Sequence, residues 1–404
     1  MRVLVSVTGS AGHANSMLPI ARALTSAGHE ILVVTTERLA DRFAEFPEVR
    51  PILPGLLEKF APILRILRSG EEPPPGLLEQ FSDIAGQMAW VDTAPHVTTA
   101  VQAILPVAKE FQPDLILRDG AELAAVLVAE TLDVPFISAP SGDGNVLDPV
   151  RVLPPLNERR AENGLPPSED PWSIYTFGRI DCVPSEFSFA AFDVPPAVHY
   201  RQPSAEGRDG GLPAELAARI GDRPLVLATV GSEFGATQEA IDAGLGVTGG
   251  GPDPAVAVRT LVTALSTLPC FAVVSTGGMT VEDLPEADNV LVSSWVDQPL
   301  LLRHAGLFVT HGGYNGIREA MAAGTPMVVV PQDGENEHNG RRLHEFGIGE
   351  LATADSPEAV SAVCRGILDD EGYATRAAAV RDAMRSLPGI ADLVAHLESL
   401  AGVG

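Results

Sequence analysis

The residues best equipped for chemistry fall in two clusters. One is His311-Gly312-Gly313-Tyr314-Asn315-Gly316, followed by Glu319. The apolar stretch Leu307–Thr310 reads as a buried strand ending at His311, and IREAMAAG reads as a helix that stops at Gly324, with Pro326 beyond. A glycine-rich turn between strand and helix presents backbone N–H groups at a helix N-terminus, where the dipole favours phosphate. Glycine suits the turn because a Cβ would hold the phosphate away. His311 can donate to a phosphate oxygen, and Glu319 puts a carboxylate where it can accept from ribose hydroxyls. The other cluster pairs His13, in Gly9-Ser10-Ala11-Gly12-His13, with Asp119. Imidazole titrates near neutrality and suits general-base work. Asp119 falls at the C-terminal end of an expected strand, where open α/β sheets place ligands, although an aspartate there equally suits a helix cap.

The elements that must position these residues follow from apolar runs and their punctuation. Val3–Val7 and Ile31–Thr35 read as strands around a loop, Thr8–Ser16, and a helix, Met17–Ala27, with Pro19 in its first turn and Gly28 closing it. A βαβ opening raises the question of dinucleotide binding. Glu37 does end the second strand, but the Gly9–Asn15 loop lacks G-x-G-x-x-G spacing, which argues against that chemistry. Residues 50–110 read as turn material separating apolar stretches near Phe60–Leu67 and Leu77–Trp90. Pro113–Leu117, a helix over Ala121–Leu132, and Val134–Ser138 continue the alternation, and Arg179–Val183 reads as a strand near the domain edge. Gln202–Gly211 is the best linker, being small, polar and glycine-rich. A second βα series runs through Leu225–Val230, Phe271–Ser275, Val290–Val292, Leu307–Thr310 and Met327–Val330, with closing helices near 357–369 and 373–386. The glycine-rich stretch 236–254 reads as a surface loop.

Bulk properties narrow the function classes. At 404 residues two domains are the default, and 45% hydrophobic with 20% charged residues is a soluble globular composition. A formal net charge of −26 argues against nucleic acid and against anionic membrane surfaces. Cys182, Cys270 and Cys364 are widely spaced with no CxxC, which speaks against a disulfide framework or zinc site and fits the cytoplasm. The opening MRVLVSV breaks at Gly9 and reads as a strand, not a signal segment, and no stretch has the length of a membrane span.

Trp295, Gln298, His311, Gly313, Asn315, Glu319, Gly324, Pro326, Pro331, Glu335 and Asn339 occur in an order that resembles a known motif. It is the nucleotide-sugar-binding motif of GT-B-fold glycosyltransferases, in the branch of plant and antibiotic enzymes, written W-x-x-Q, H-x-G-x-[NG]-[ST]-x-x-E, G-x-P and P-x-x-x-[DE]-Q-x-x-N. Gly316 departs from the usual Ser or Thr, and Asn336 from the usual Gln. The N-terminus agrees, because this branch opens with a strand, G-x-x-G-H and a later G-H, here Gly9, Gly12–His13 and Gly28–His29. His29 itself reads as a polar residue at a helix-to-strand turn.

The resemblance implies an α/β chain of the GT-B fold: two Rossmann-like domains facing across a cleft. Residues 1–205 would bind the acceptor and 212–386 the nucleotide sugar, with a last helix, within about 387–404, returning to the first domain. It implies an inverting transfer of a sugar from a nucleoside-diphosphate sugar to a small-molecule hydroxyl, with His13 as general base supported by Asp119. On the donor side it implies Gly231 and Ser232 near the diphosphate and Trp295 against the base, with the Val296 backbone or Gln298 reading the base edge or ribose. The Gly312–Gly316 amides and His311 would hold phosphate, Asn315 would belong to that loop, and Glu335 and Asn336 would face the sugar. Asn336 is one methylene, about 1.5 Å, shorter than Gln, which favours a sugar with fewer hydroxyls and points to a thymidine-diphosphate deoxysugar of antibiotic biosynthesis. There is no strict DxD (the nearest run is Asp333-Gly-Glu335), so no metal and no cofactor beyond the nucleotide-sugar co-substrate is expected. Three readings stay open beside O-glycosyl transfer: a C-glycosyltransferase, a sugar-nucleotide epimerase, and a non-catalytic nucleotide-sugar-binding partner subunit. A homodimer is also left open.

Overall fold

The computed structural model describes residues 1–59, 82–203, 211–231, 254–353 and 356–403. Phe60–Leu67, the linker core 204–210, Ser232 and the glycine-rich stretch 236–253 lie outside the described residues. The chain divides into two compact units, Met1–Gln202 with Leu387–Gly404, and Pro203–Ser386. Each is a doubly wound α/β unit built on a parallel sheet, the architecture expected from the alternating apolar runs.

In the first unit the described strands are β1 (Arg2–Ser6), β2 (Glu30–Thr35), β3 (Glu48–Pro51), β4 (Leu115–Arg118), β5 (Phe136–Ser138), β6 (Arg179–Asp181) and β7 (Ala197–His199). Their order is β3-β2-β1-β4-β5-β6-β7. In the second they are β8 (Leu225–Thr229), β9 (Phe271–Ser275), β10 (Val290–Ser293), β11 (Leu307–Thr310), β12 (Met327–Val329) and β13 (Gly349–Leu351), ordered β10-β9-β8-β11-β12-β13. Both orders reverse between the first strand and the fourth, and open α/β sheets bind ligands outside the strand ends at such a switch point. β1 pairs β4 with Ser6 beside Arg118, and β8 pairs β11 with Thr229 beside Thr310. The residues that leave these strands, toward His13 and Asp119 in one unit and Gly231 and His311 in the other, therefore emerge side by side.

The central strands are buried on both faces, which is why they read as continuous apolar runs. One face of the first sheet packs Val3, Val5 and Val33 against Met17, Ile20 and Leu24 of the Ala11–Ser26 helix. Leu393, Val394 and Leu397 of the Ile390–Leu400 helix join that cluster. His29 fixes the returning helix by placing Nε2 2.9 Å from Glu398 Oε1 and Nδ1 3.2 Å from the N-terminal amine. No described helix is long and apolar enough to cross a membrane.

Three expectations need correction. The first helix starts at Ala11, not Met17, because Ser10 caps it by accepting from the Gly12 N–H at 3.0 Å. His13 therefore sits in its first turn and Pro19 in its interior. The helix expected from Ala121 starts at Ala124, since Asp119 takes up the Ala121 amide in a turn ahead of it and Glu122 takes up the Ala124 amide at its start. β3, β7 and β13 were not expected; they are short edge strands without an apolar run, and β3 ends on a proline that only an edge tolerates.

Candidate active site

His13 Nδ1 lies 2.9 Å from Asp119 Oδ2. The imidazole packs against Gly9, at φ +79°, where a Cβ would come within 3.2 Å of three ring atoms. Asp119 is fully buried, and its other oxygen accepts the Ala121 N–H at 2.9 Å. It thus caps a turn ahead of the Ala124–Leu132 helix and not the helix itself, whose N-cap is Leu123, and it meets the histidine with its other oxygen. Asp119 is held by Arg118, a fully buried guanidinium that donates to the carbonyls of Asp119 (3.0 Å), Gly120 (2.8 Å) and Ile174 (2.6 Å). Glu122 frees Asp119 from capping the helix proper by accepting from the Ala124 and Ala125 amides and from the Ser6 hydroxyl.

Two further groups on this site were missed from sequence. Ser141 Oγ stands 3.5 Å from both His13 Nδ1 and Asp119 Oδ1. Asp143 Oδ2 stands 3.4 Å from His13 Nε2, the ring nitrogen opposite Asp119. Both lie past the C-terminal end of β5, the same position rule that singled out Asp119. Burial by itself would lower the His13 pKa, but the charge and hydrogen bond of Asp119, then those of Asp143, outweigh it and raise it well above 6.5. Burial pushes the Asp143 carboxyl up, yet the His13 hydrogen bond and charge prevail and its pKa is lowered. Nearby, burial raises the Asp92 carboxyl to about 7 against the pull of Lys59, whose Nζ is 3.8 Å away.

In the second unit the glycines explain themselves through His311. Its ring is packed between two of them: a Cβ at Gly231 would lie 2.8 Å from His311 Cε1, and one at Gly313 only 2.4 Å from His311 Nε2. Gly231 adopts φ +92° and Gly312 φ +102°, both in the left-handed region that favours glycine. A Cβ on Gly312 would press on the Asn336 carbonyl at 2.9 Å, so loop and neighbouring helix touch backbone to backbone. Gly313 is the N-cap of the Tyr314–Ala323 helix and brings no side chain over its first amides. Asn339 is fully buried and donates to the Gly312 carbonyl (2.9 Å) and to Glu335 Oε1 (2.8 Å). It couples the glycine turn to the first turn of the Gly334–Glu345 helix.

Gln298 Nε2 donates to Glu319 Oε2 at 2.8 Å. Burial raises the Glu319 carboxyl, opposed by the Gln298 hydrogen bond and by Arg318. Trp295 is 60% exposed, and its indole edge rests on Gly278, where a Cβ would come within 3.2 Å. Val296, next in the chain, is half-buried. Asn315 accepts from the Arg318 guanidinium. A side chain at Gly316 would point toward Phe308 and Gln298 Nε2 at ordinary contact distance. Asn336 is 3% exposed, and its amide oxygen accepts the Gln332 N–H at 3.3 Å. Among the described residues no group of three or more His, Cys, Asp or Glu side chains is placed to hold a metal ion.

In sequence and fold the chain is similar to known proteins. Residues 270–400 match the family model described as "Erythromycin biosynthesis protein CIII-like, C-terminal domain". The 4'-demethylrebeccamycin synthase of Lentzea aerocolonigenes is 26% identical over 454 residues, covering 99% of each chain. The crystal structure of the glycosyltransferase SnogD from Streptomyces nogalater superposes with a TM-score of 0.69 at 24% identity, covering 100% of both chains. The glycosyltransferase SsfS6 of Streptomyces sp. SF2575, in complex with thymidine diphosphate, gives 0.69 at 24% identity and 99% of each. The fold is GT-B, and the chain is a glycosyltransferase similar in sequence and fold to those of antibiotic biosynthesis.

Proposed function

We propose that the protein transfers a deoxysugar from a thymidine-diphosphate sugar to a hydroxyl of a small-molecule natural product, with inversion and without a metal, in the cytoplasm. The observation that carries this reading is the 2.9 Å pair of His13 and buried Asp119 at the switch point of the first sheet. Asp119 accepts from Nδ1, which fixes the tautomer and leaves Nε2 to take the acceptor's proton. The acceptor oxygen bonds the anomeric carbon as the bond to the diphosphate breaks, so the configuration inverts.

The second unit holds the donor in this account. Trp295 offers its exposed face to the base, with the Val296 backbone beside it, and Glu319, held by Gln298, accepts from the ribose. His311 and the turn Gly312-Gly313-Tyr314-Asn315-Gly316 receive the diphosphate, with Gly231 alongside. The amides and dipole of the Tyr314–Ala323 helix stabilise the charge that builds on the leaving group. Glu335, oriented by Asn339, faces the sugar. Asn336 uses its amide oxygen on Gln332, which supports a donor with fewer hydroxyls to read. The solved relative bound to thymidine diphosphate supports the choice of base.

The test is kcat/KM for a TDP-deoxysugar and for UDP-glucose with one acceptor. The proposal expects the TDP-deoxysugar to be preferred at least about tenfold, a difference of roughly 1.4 kcal/mol at the transition state. A tenfold preference for UDP-glucose refutes the donor assignment.

A further inference from the structure

Each transfer from an acceptor hydroxyl leaves one proton on the enzyme, and that proton must leave His13 before the next cycle. On the Nδ1 side the imidazole meets Asp119, whose side chain is 0% exposed. On the Nε2 side it meets Asp143 Oδ2 at 3.4 Å, and that side chain is 34% exposed. The two carboxylates differ in just the property a proton exit requires. One is sealed in the protein, and the other spans the distance from the ring to solvent.

Asp143 is positioned by a capped turn of helix. It lies in the short Gly142–Asn145 helix that follows β5, capped by Ser141, whose hydroxyl accepts the Gly144 N–H at 3.3 Å. The loops after β4 and β5 interlock through two glycines. A Cβ at Gly120 would lie 2.8 Å from Ser141 Cβ, and one at Gly144 would lie 3.1 Å from Gly120 Cα. The two loops therefore pack closely at these glycines, with Asp119 and Asp143 on opposite nitrogens of the imidazole.

We propose that Asp143 is the proton exit of the active site, carrying to solvent the proton that His13 takes from the acceptor. This rests on the reading of His13 as the base. The acceptor O–H bond breaks as its oxygen bonds the anomeric carbon, and the proton joins Nε2. From Nε2 it passes to an Asp143 oxygen and from there to water, so the overall reaction releases one proton with the nucleoside diphosphate. Asp143 acts through His13 and not on the sugar. Its lowered pKa while the ring is charged fits a carboxylate that stays ionised, receives the proton briefly and does not store it.

Among the described residues the titratable groups around the ring are Asp119 and Asp143 in contact, with Asp92 and Lys59 farther out and Arg118 beside Asp119. Asp143→Asn removes one of the negative charges that favour the imidazolium. It should therefore move the acid limb of kcat/KM to lower pH while slowing steady-state turnover by about tenfold. Turnover of the variant should rise with imidazole concentration at fixed pH and ionic strength, because a diffusible base then removes the proton, while wild-type turnover should not respond. Asp143→Glu should restore part of the rate, and thymidine-diphosphate affinity should be unchanged in both variants. Wild-type turnover in Asp143→Asn, or a slow variant with no imidazole response and an unmoved acid limb, overturns the proposal. His13→Ala run in parallel separates the two claims: full activity there removes the base itself, whereas an inactive His13→Ala beside a normal Asp143→Asn removes only the exit.

Discussion

Gln298 and Glu319 come from different elements and meet in a 2.8 Å hydrogen bond. The glutamine precedes the glycine turn and the glutamate follows it, so the bond ties both flanks of the expected diphosphate site together. Burial raises the Glu319 pKa, against the opposing hydrogen bond of Gln298 and the charge of Arg318. A carboxylate fixed in this way is ready to accept from a ribose hydroxyl without reorganising.

Glu319→Ala should therefore weaken nucleoside-diphosphate binding by roughly 1.5–3 kcal/mol, the usual worth of a charged hydrogen bond. Titration calorimetry with thymidine diphosphate measures it. Unchanged affinity would remove Glu319 from the nucleotide site.

Gly313→Ala isolates a steric claim. Gly313 has φ −62°, which alanine adopts without strain, so the only change is a Cβ set 2.4 Å from His311 Nε2. The ring must move, and overpacking of this kind costs about 1–3 kcal/mol. Thermal unfolding should shift down by several degrees and diphosphate affinity should fall with it. A variant with wild-type melting and binding would show that the imidazole has room to spare.

The pH dependence follows from the raised pKa of His13. A base works only when deprotonated, so kcat/KM should climb with pH along an acid limb whose inflection lies above the ordinary histidine value of about 6.5. Stability has the opposite sign. The paired imidazolium stabilises the fold fully below about pH 6.5, and that contribution is lost as pH rises through the raised value. Melting temperatures of wild type and His13→Gln should accordingly lie farther apart at pH 6 than at pH values above the activity inflection. An acid limb at or below 6.5 would contradict the ion-pair geometry.

The sequence was most legible where strands are buried on both faces. Val3–Val7, Leu225–Val230 and Leu307–Thr310 announce themselves as apolar runs, and the α/β class follows from their alternation with helices. Edge strands such as β13 have no such run to read. The start of the first helix was misplaced because Gly9 and Gly12 suggest a loop, whereas one serine cap at Ser10 decides the matter. His13 and Asp119 stood out by position, but nothing local shows that residues 106 apart meet at 2.9 Å; that depends on the register of β1 against β4. Arg118 and Asp143 were hidden for the same reason. A buried arginine inside an apolar strand reads as an exception, and its three carbonyl partners include one that lies 56 residues away.

The central claim is that His13 is the base, and His13→Ala tests it most directly. Loss of a positioned base costs about 10²–10⁴ in rate, or roughly 3–5 kcal/mol of barrier. Transfer of sugar from a TDP-sugar, followed by product formation, should fall by that factor while thymidine-diphosphate affinity stays near wild type. A variant that keeps more than about a tenth of wild-type turnover would contradict the account.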